Sequence, residues 1–132
     1  MDDECIFCKL AKDNPKTIFD DGKCYVIPDR FPSEFGHLLV VSKDHHENVL
    51  AAPDETVGHM FIVAKSYGLK MRERLGASGL TITTNTGRDA GQIIFHLHIH
   101  VVPKYPKKIE GFVKHRELSD DDAKRLKDKL SN

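Results

Sequence analysis

The 132-residue chain lacks any apolar run approaching the roughly 18–20 residues of a helical membrane span, so it offers no transmembrane helix. It lacks an excess of either charge as well: Lys+Arg and Asp+Glu stand at 20 each, and no overall basic field invites nucleic acid or an anionic membrane surface. Recognition of an anion has to be local. Cysteine is scarce, with three in the whole chain, a usage that fits a reducing cytoplasm. Internal repeats and low-complexity linkers are missing, and the acidic start Met1-Asp2-Asp3-Glu4 is unlike a signal peptide. What is left, 39% hydrophobic and 30% charged residues, is the composition of an ordinary soluble globular protein with one sizeable core. The expectation is one cytoplasmic domain over residues 1–132, with no membrane or nucleic-acid partner.

Against this plain background stands His96-Leu97-His98-Ile99-His100-Val101-Val102. The apolar/polar alternation has period two and reads as a strand. Leu97, Ile99 and Val101 then face a core, while His96, His98 and His100 share the other face at spacings of about 6.5–7 Å. The outer two would lie about 13 Å apart, too far to meet at one small atom, so the row suits two adjacent sites. Three imidazoles in strict alternation have no packing rationale. Metal chelation is one use for them, and phosphate handling is another, with one imidazole attacking phosphorus and a neighbour donating a proton or hydrogen bond.

The context lies upstream. Asn85-Thr86-Gly87-Arg88-Asp89-Ala90-Gly91-Gln92 is a turn-rich loop whose glycines allow close backbone approach to an anion. Earlier come Asp29-Arg30-Phe31-Pro32, Gly36-His37-Leu38-Leu39-Val40-Val41 and Lys43-Asp44-His45. Together these resemble the histidine triad (HIT) superfamily of nucleotide hydrolases and transferases, named for a His-φ-His-φ-His-φ-φ signature in which φ is apolar. The likeness runs from Cys5 to about Tyr105.

That resemblance implies roles residue by residue. His98 matches the nucleophile that attacks the α-phosphorus of a nucleotide and becomes transiently nucleotidylated; His100 matches the residue that binds the phosphate and stabilises its charge; His37 matches a further histidine close to the triad. Asp29 matches an acceptor for the ribose hydroxyls, and Ile27 an apolar wall of the base pocket. Asn85, Gly91 and Gln92 fall on the phosphate-side loop, where amides of the Gly91-Gln92-Ile93 stretch are expected to help hold the charge. Ile93 stands where many eukaryotic members carry Ser or Thr, which leaves only its backbone N–H to serve. Ser42 stands where relatives often have Pro, and no role is attached to it. The implied activity is that of a phosphoramidase-like HIT hydrolase, cleaving at the α-phosphate of purine nucleoside phosphoramidates or related nucleotides. Hydrolysis of dinucleoside polyphosphates is an alternative, as is a zinc-stabilised nucleotide-binding or interaction module.

Cys5-Ile6-Phe7-Cys8 on its own fits a redox pair, half a zinc site or two incidental thiols. The resemblance sharpens this, because zinc-bearing relatives complete a closed site at the positions of Cys5, Cys8, His45 and His96, a two-sulfur, two-nitrogen set suited to structural zinc. His46 is a rival to His45. Cys24 reads as a core residue.

Period and punctuation predict the remaining elements: a short helix over 6–12, strands at 17–19, 24–28, 37–41, 80–84 and 94–102, the last ended by Pro103, and a long helix from Pro53 to about Leu75. Ser119 before three aspartates caps a final amphipathic helix over about 119–130. The fold class is α+β, an antiparallel HIT-like sheet with one long helix and a C-terminal helix. The resemblance also implies a homodimer joined through the long helix and the strand near Ile82.

Overall fold

A computed structural model describes residues 4–132; Met1, Asp2 and Asp3, part of the acidic start considered above, lie outside the described residues. The chain runs α1 (Ile6–Leu10), β1 (Phe19–Asp20), β2 (Cys24–Pro28), β3 (Leu38–Ser42), α2 (Asp54–Arg74), β4 (Gly79–Thr83), β5 (His98–Lys104) and α3 (Asp120–Leu130). The strands form one antiparallel sheet in the order β1-β2-β3-β5-β4. The α+β architecture follows the expectation.

Alternation along the strands gives the sheet two different faces. One face turns Cys24, Val26, Leu38, Val40, Ile99 and Val101 onto Met60, Ala64, Tyr67 and Met71 of α2 and Leu126 and Leu130 of α3. Each large aliphatic side chain buried there stabilises the fold by about 1.5–3 kcal/mol, the common driving force that clamps both helices to the sheet. The other face carries Tyr25, Ile27, Leu39 and Val41, covered by Phe7 of α1. His98 lies opposite Val41 and His100 opposite Leu39, so the histidine row belongs to this second face. Leu97, Ile99 and Val101 are buried in the main core, as the alternation predicts.

α3 begins as the sequence suggests. Ser119 Oγ accepts the Asp122 N–H at 3.1 Å, and Asp120, Asp121 and Asp122 complement the positive end of the helix dipole.

β5 departs from expectation at both ends. It begins at His98, not Ile94, because β3 ends at Ser42 and residues 94–97 have no ladder to join. Leu97 instead donates to the His46 carbonyl at 2.7 Å and accepts from Ser42 N–H at 3.2 Å. At the other end Pro103 does not terminate the strand but pairs with Leu80. Lys104 C=O points to β4, where it accepts from Ser78 N–H, so the main-chain polar positions of Pro103 point the opposite way. On that side the pairing with β3 stops at Val101, opposite Leu38, the first residue of β3, and the missing N–H costs no ladder bond. Smaller differences are a two-residue β1, an α1 ending at Leu10 and a β4 shifted by one residue.

Candidate functional site

Three segments converge on the second face of the sheet: β5 with its histidines, the turn leading into β3, and the loop between β4 and β5. Gly36 sets the entry to β3. It sits at φ +97, and a Cβ there would come within 2.7 Å of Leu75 Cδ1 and 3.3 Å of Pro103 Cγ, so the chain can turn His37 inward only with glycine before it.

His98 Nδ1 lies 2.6 Å from the His96 carbonyl oxygen. A carbonyl can only accept, so Nδ1 carries the proton and Nε2 is left with its lone pair. Burial pushes the His98 pKa down, partly opposed by that hydrogen bond, and the imidazole stays neutral and basic at Nε2. The ring packs edge-on against Phe7, 5.0 Å between centroids and 69° between planes, and lies 5.1 Å from the His100 ring.

A second set of contacts assigns the tautomers of His37 and His100. Ser33 N–H donates to His37 Nδ1 at 3.1 Å, which puts the His37 proton on Nε2. That Nε2–H lies 3.0 Å from His100 Nδ1 and 3.3 Å from Asp29 Oδ2. His100 Nδ1 is therefore an acceptor, and His100 Nε2 bears a proton available to an anion. Burial holds His37 down at about 4 despite the nearby Asp29 carboxylate, and burial also lowers His100. Asp29 Oδ1 accepts from Phe31 N–H at 2.9 Å, which fixes the carboxylate beside His37. Sequence reasoning missed Ser33; nothing in its local pattern distinguishes it from any turn serine.

The loop ahead of β5 is braced from within. Gln92 is buried; its Oε1 accepts from Gly87 N–H at 2.8 Å, and its Nε2 donates to the carbonyls of Glu47 at 2.7 Å and Ile94 at 3.2 Å. Gly91 N–H goes to Arg88 C=O and Gln92 N–H to Gly87 C=O, each at 3.0 Å. The expectation that amides of the Gly91-Gln92-Ile93 stretch help hold a phosphate is thereby narrowed. A short 3-10 turn over Arg88–Ala90 consumes two of them, and only the Ile93 N–H has no protein partner among the described residues. Gly91 has φ +91, and a Cβ there would touch Asn85 Nδ2 at 3.6 Å, so Asn85 lies against the turn. Ile93 projects its side chain into solvent, and Ile27 is buried beside Leu39 and Phe7.

On the far side of His98 lies a four-donor cluster. Cys5 Sγ is 3.3 Å and Cys8 Sγ 3.5 Å from His96 Nδ1; His45 Nδ1 is 3.3 Å from Cys8 Sγ and 3.2 Å from His96 Nδ1. A tetrahedral zinc with bonds of about 2.3 Å to sulfur and 2.0–2.1 Å to nitrogen sets donor–donor edges of about 3.3–3.8 Å, which these distances approach. His96 Nε2 donates to the Ser42 carbonyl at 2.7 Å, leaving Nδ1 as the free lone pair within the cluster. Ser42, given no role from sequence, is thus the residue that fixes this tautomer. Its side chain is itself anchored, with Oγ donating to Asp44 C=O at 2.7 Å. His46 stays outside the cluster and supplies its carbonyl to Leu97. The donor set fits zinc.

Comparison with known proteins agrees with this geometry. Residues 11–107 match the HIT domain. A hypothetical histidine triad nucleotide-binding protein from Sulfolobus tokodaii is similar in structure at 32% identity, with a TM-score of 0.89 over 96% of this chain and 89% of that one. A zinc-bound histidine triad family protein from Mycobacterium smegmatis is similar at 29% identity, with a TM-score of 0.83 over 98% of this chain and 95% of that one. A HIT family hydrolase from Clostridium thermocellum is similar at 28% identity, with a TM-score of 0.65 over 83% of this chain and 97% of that one.

Proposed function

Because the chain belongs to the HIT family, we propose that it is a nucleotide hydrolase or nucleotidyltransferase acting at the α-phosphate through a covalent nucleotidyl-His98 intermediate. The observation that carries this reading is the 2.6 Å hydrogen bond from His98 Nδ1 to the His96 carbonyl, which aims a neutral nitrogen lone pair away from the strand. In the first displacement His98 Nε2 bonds to the α-phosphorus, and the bond to the leaving group breaks with its electron pair going to that group. His100 Nε2–H and the Ile93 N–H donate to the phosphoryl oxygens as charge builds on them. The Ser33–His37–His100 chain keeps His100 in the donor tautomer. Water then attacks the phosphorus, loses its proton to solvent, and His98 Nε2 departs with the electron pair of the P–N bond.

In the same reading Ile27 walls the base pocket, Asp29 accepts from the ribose hydroxyls, and Asn85, Gly91 and Gln92 shape the phosphate loop. Purine nucleoside phosphoramidates or related nucleotides are the substrates. Cys5, Cys8, His45 and His96 would hold structural zinc, which when bound ties the start of the chain at α1 to the segment that leads into β5. The set is closed at four protein donors. Support for zinc comes from the donor geometry and from the zinc-bound relative.

Phe61, Ile62 and Leu69 of α2 and Ile82 of the outermost strand β4 are exposed, and this supports a homodimer through that helix and sheet edge. No helix among the described residues is long and apolar enough to cross a membrane. A reducing, cytoplasmic setting suits a zinc-competent thiol pair. The test is release of nucleotide from adenosine 5′-phosphoramidate by the purified protein. Turnover by the natural chain and none by His98→Ala is expected, whereas equal turnover by both would remove His98 from the reaction.

A further inference from the structure

Away from the histidine row and the four-donor cluster, the described residues bring together one more mixed set of metal-ligating side chains. It consists of Asp21 in the β1–β2 turn, Cys24 at the start of β2 and His59 in α2. Asp21 Oδ2, Cys24 Sγ and His59 Nε2 offer three different donor atoms, all within 4.8 Å of one another. The set lies on the α2 side of the sheet, where Cys24 belongs to the main core, and so on the face opposite His98. Nothing in the local sequence links His59 to this turn.

Each donor is already oriented. Asp21 Oδ1 accepts the N–H groups of Lys23 and Cys24, each at 2.9 Å, which turns Oδ2 towards His59 Nε2 at 2.6 Å. Burial works against the Asp21 charge, but those amides and His59 outweigh it, and the carboxyl sits below its ordinary pKa. The adjacent Asp20 is committed to Lys43 at 2.7 Å and stands outside the set. Cys24 is fully buried, and burial together with the two carboxylates pushes its thiol up to about 12. As a bare thiol it is therefore inert, with the Asp21 carboxylate as its polar partner. A coordinated cation is what would ionise it, because a metal-bound thiol gives up its proton outright. The side chains of His59 and Asp21 are 31% and 24% exposed, so one side of the set opens to solvent.

We propose that Asp21, Cys24 and His59 form a second metal site, separate from the four-donor cluster, for a zinc-type divalent cation that keeps water in its fourth position. One sulfur, one nitrogen and one oxygen suit zinc or cobalt, whereas calcium and magnesium take oxygen ligands. Charge balances at the site, since carboxylate and thiolate together cancel a divalent ion and the imidazole binds neutral. On binding, the Cys24 thiol releases its proton to solvent, and His59 passes to the Nδ1–H tautomer as its Nε2 lone pair turns to the metal. No group is oxidised or reduced. Zinc sets donor edges of about 3.3–3.8 Å, so the set closes by about 1 Å, a movement open to the partly exposed His59. The bound ion pins α2 to the β1–β2 turn. With three protein donors it is held more weakly than zinc in the four-donor cluster.

The chain has three cysteines, so the variant Cys5→Ser/Cys8→Ser leaves Cys24 as its one thiol. Cobalt(II) titrated into that variant then reports on Cys24 alone, through the thiolate-to-cobalt charge-transfer band in the near ultraviolet. A band that saturates at about one cobalt per chain is expected, and its loss in the further variant His59→Gln. Absence of the band, or a band that survives His59→Gln, overturns the proposal; cobalt taken up without the band marks surface histidines only and overturns it as well. A second measurement does not depend on the folding of the double variant. The natural chain and His59→Gln, in which Gln can still bond Asp21, are dialysed to equilibrium against buffered free zinc and their metal content is compared. His59→Gln is expected to hold about one zinc fewer per chain, whatever the occupancy of the four-donor cluster. Equal zinc content in the two proteins overturns the second site and leaves the cluster of Cys5, Cys8, His45 and His96 untouched.

Discussion

Replacing His37 with Asn should remove a defined pH dependence from the stability of the fold. The His37 side chain is only 7% exposed, and burial brings its pKa from an ordinary 6.5 to about 4, the Asp29 carboxylate opposing this only in part. In the unfolded chain the imidazole takes up a proton as pH falls through about 6.5, whereas in the folded chain it stays neutral until about pH 4. Between those limits the unfolded state binds more protons, so stability rises with pH. The stabilisation is complete above pH 6.5, is lost progressively as pH falls to 4, and declines no further below that. At 1.36 kcal/mol per unit the window amounts to about 3 kcal/mol. Asn cannot titrate. Its loss of the Ser33 and His100 hydrogen bonds lowers stability at every pH and so offsets the curve. Denaturant unfolding of both proteins from pH 4 to 8 supplies the difference curve, in which the distant cysteine–histidine cluster cancels. A difference that is flat across the window would refute both the burial argument and the neutral His37 on which the His100 tautomer depends.

Other expectations concern the cysteine–histidine cluster and the loop ahead of β5. Cys8→Ser should lower bound zinc, read by metal analysis, and lower Tm, because one of the two thiolates is gone. Ser42→Ala should leave zinc content unchanged, since the backbone carbonyl at 2.7 Å from His96 Nε2 is a closer acceptor than Ser42 Oγ at 3.2 Å, and loss of zinc in that variant would contradict the assignment. Gly91→Ala forces a Cβ at φ +91 and should cost about 1–2 kcal/mol by denaturant unfolding, with kcat falling as the Ile93 N–H shifts.

Much of the site was legible because it depends on alternation. Period two in His96-Leu97-His98-Ile99-His100 places the apolar residues in one core and His98 and His100 on the opposite face whatever the details of the sheet. The cap at Ser119 was legible for a similar reason, being a local hydrogen bond written in adjacent residues. What could not be read were properties of distant pairings. Pro103 continues β5 because the pairing with β3 stops two residues earlier, at Val101, on the side its nitrogen faces, and no local pattern records how far a neighbouring strand reaches. Gln92 matched a phosphate-loop position, but its amide group is spent on Gly87, Glu47 and Ile94, the second of these 45 residues away. Ser33 and Ser42 meet their histidines through a backbone group at 3.1 and 2.7 Å and through Oγ at 3.2 Å, contacts between segments that no local pattern records.

The central claim is a covalent bond between His98 and the α-phosphorus, and the most direct measurement is intact-mass analysis of protein quenched soon after mixing with adenosine 5′-phosphoramidate. The account predicts a transient mass increase of one adenylyl group on the natural chain, mapped by peptide digestion to His98 and missing in His98→Ala. Turnover with no adduct at any quench time, or an adduct that persists in His98→Ala, would contradict it.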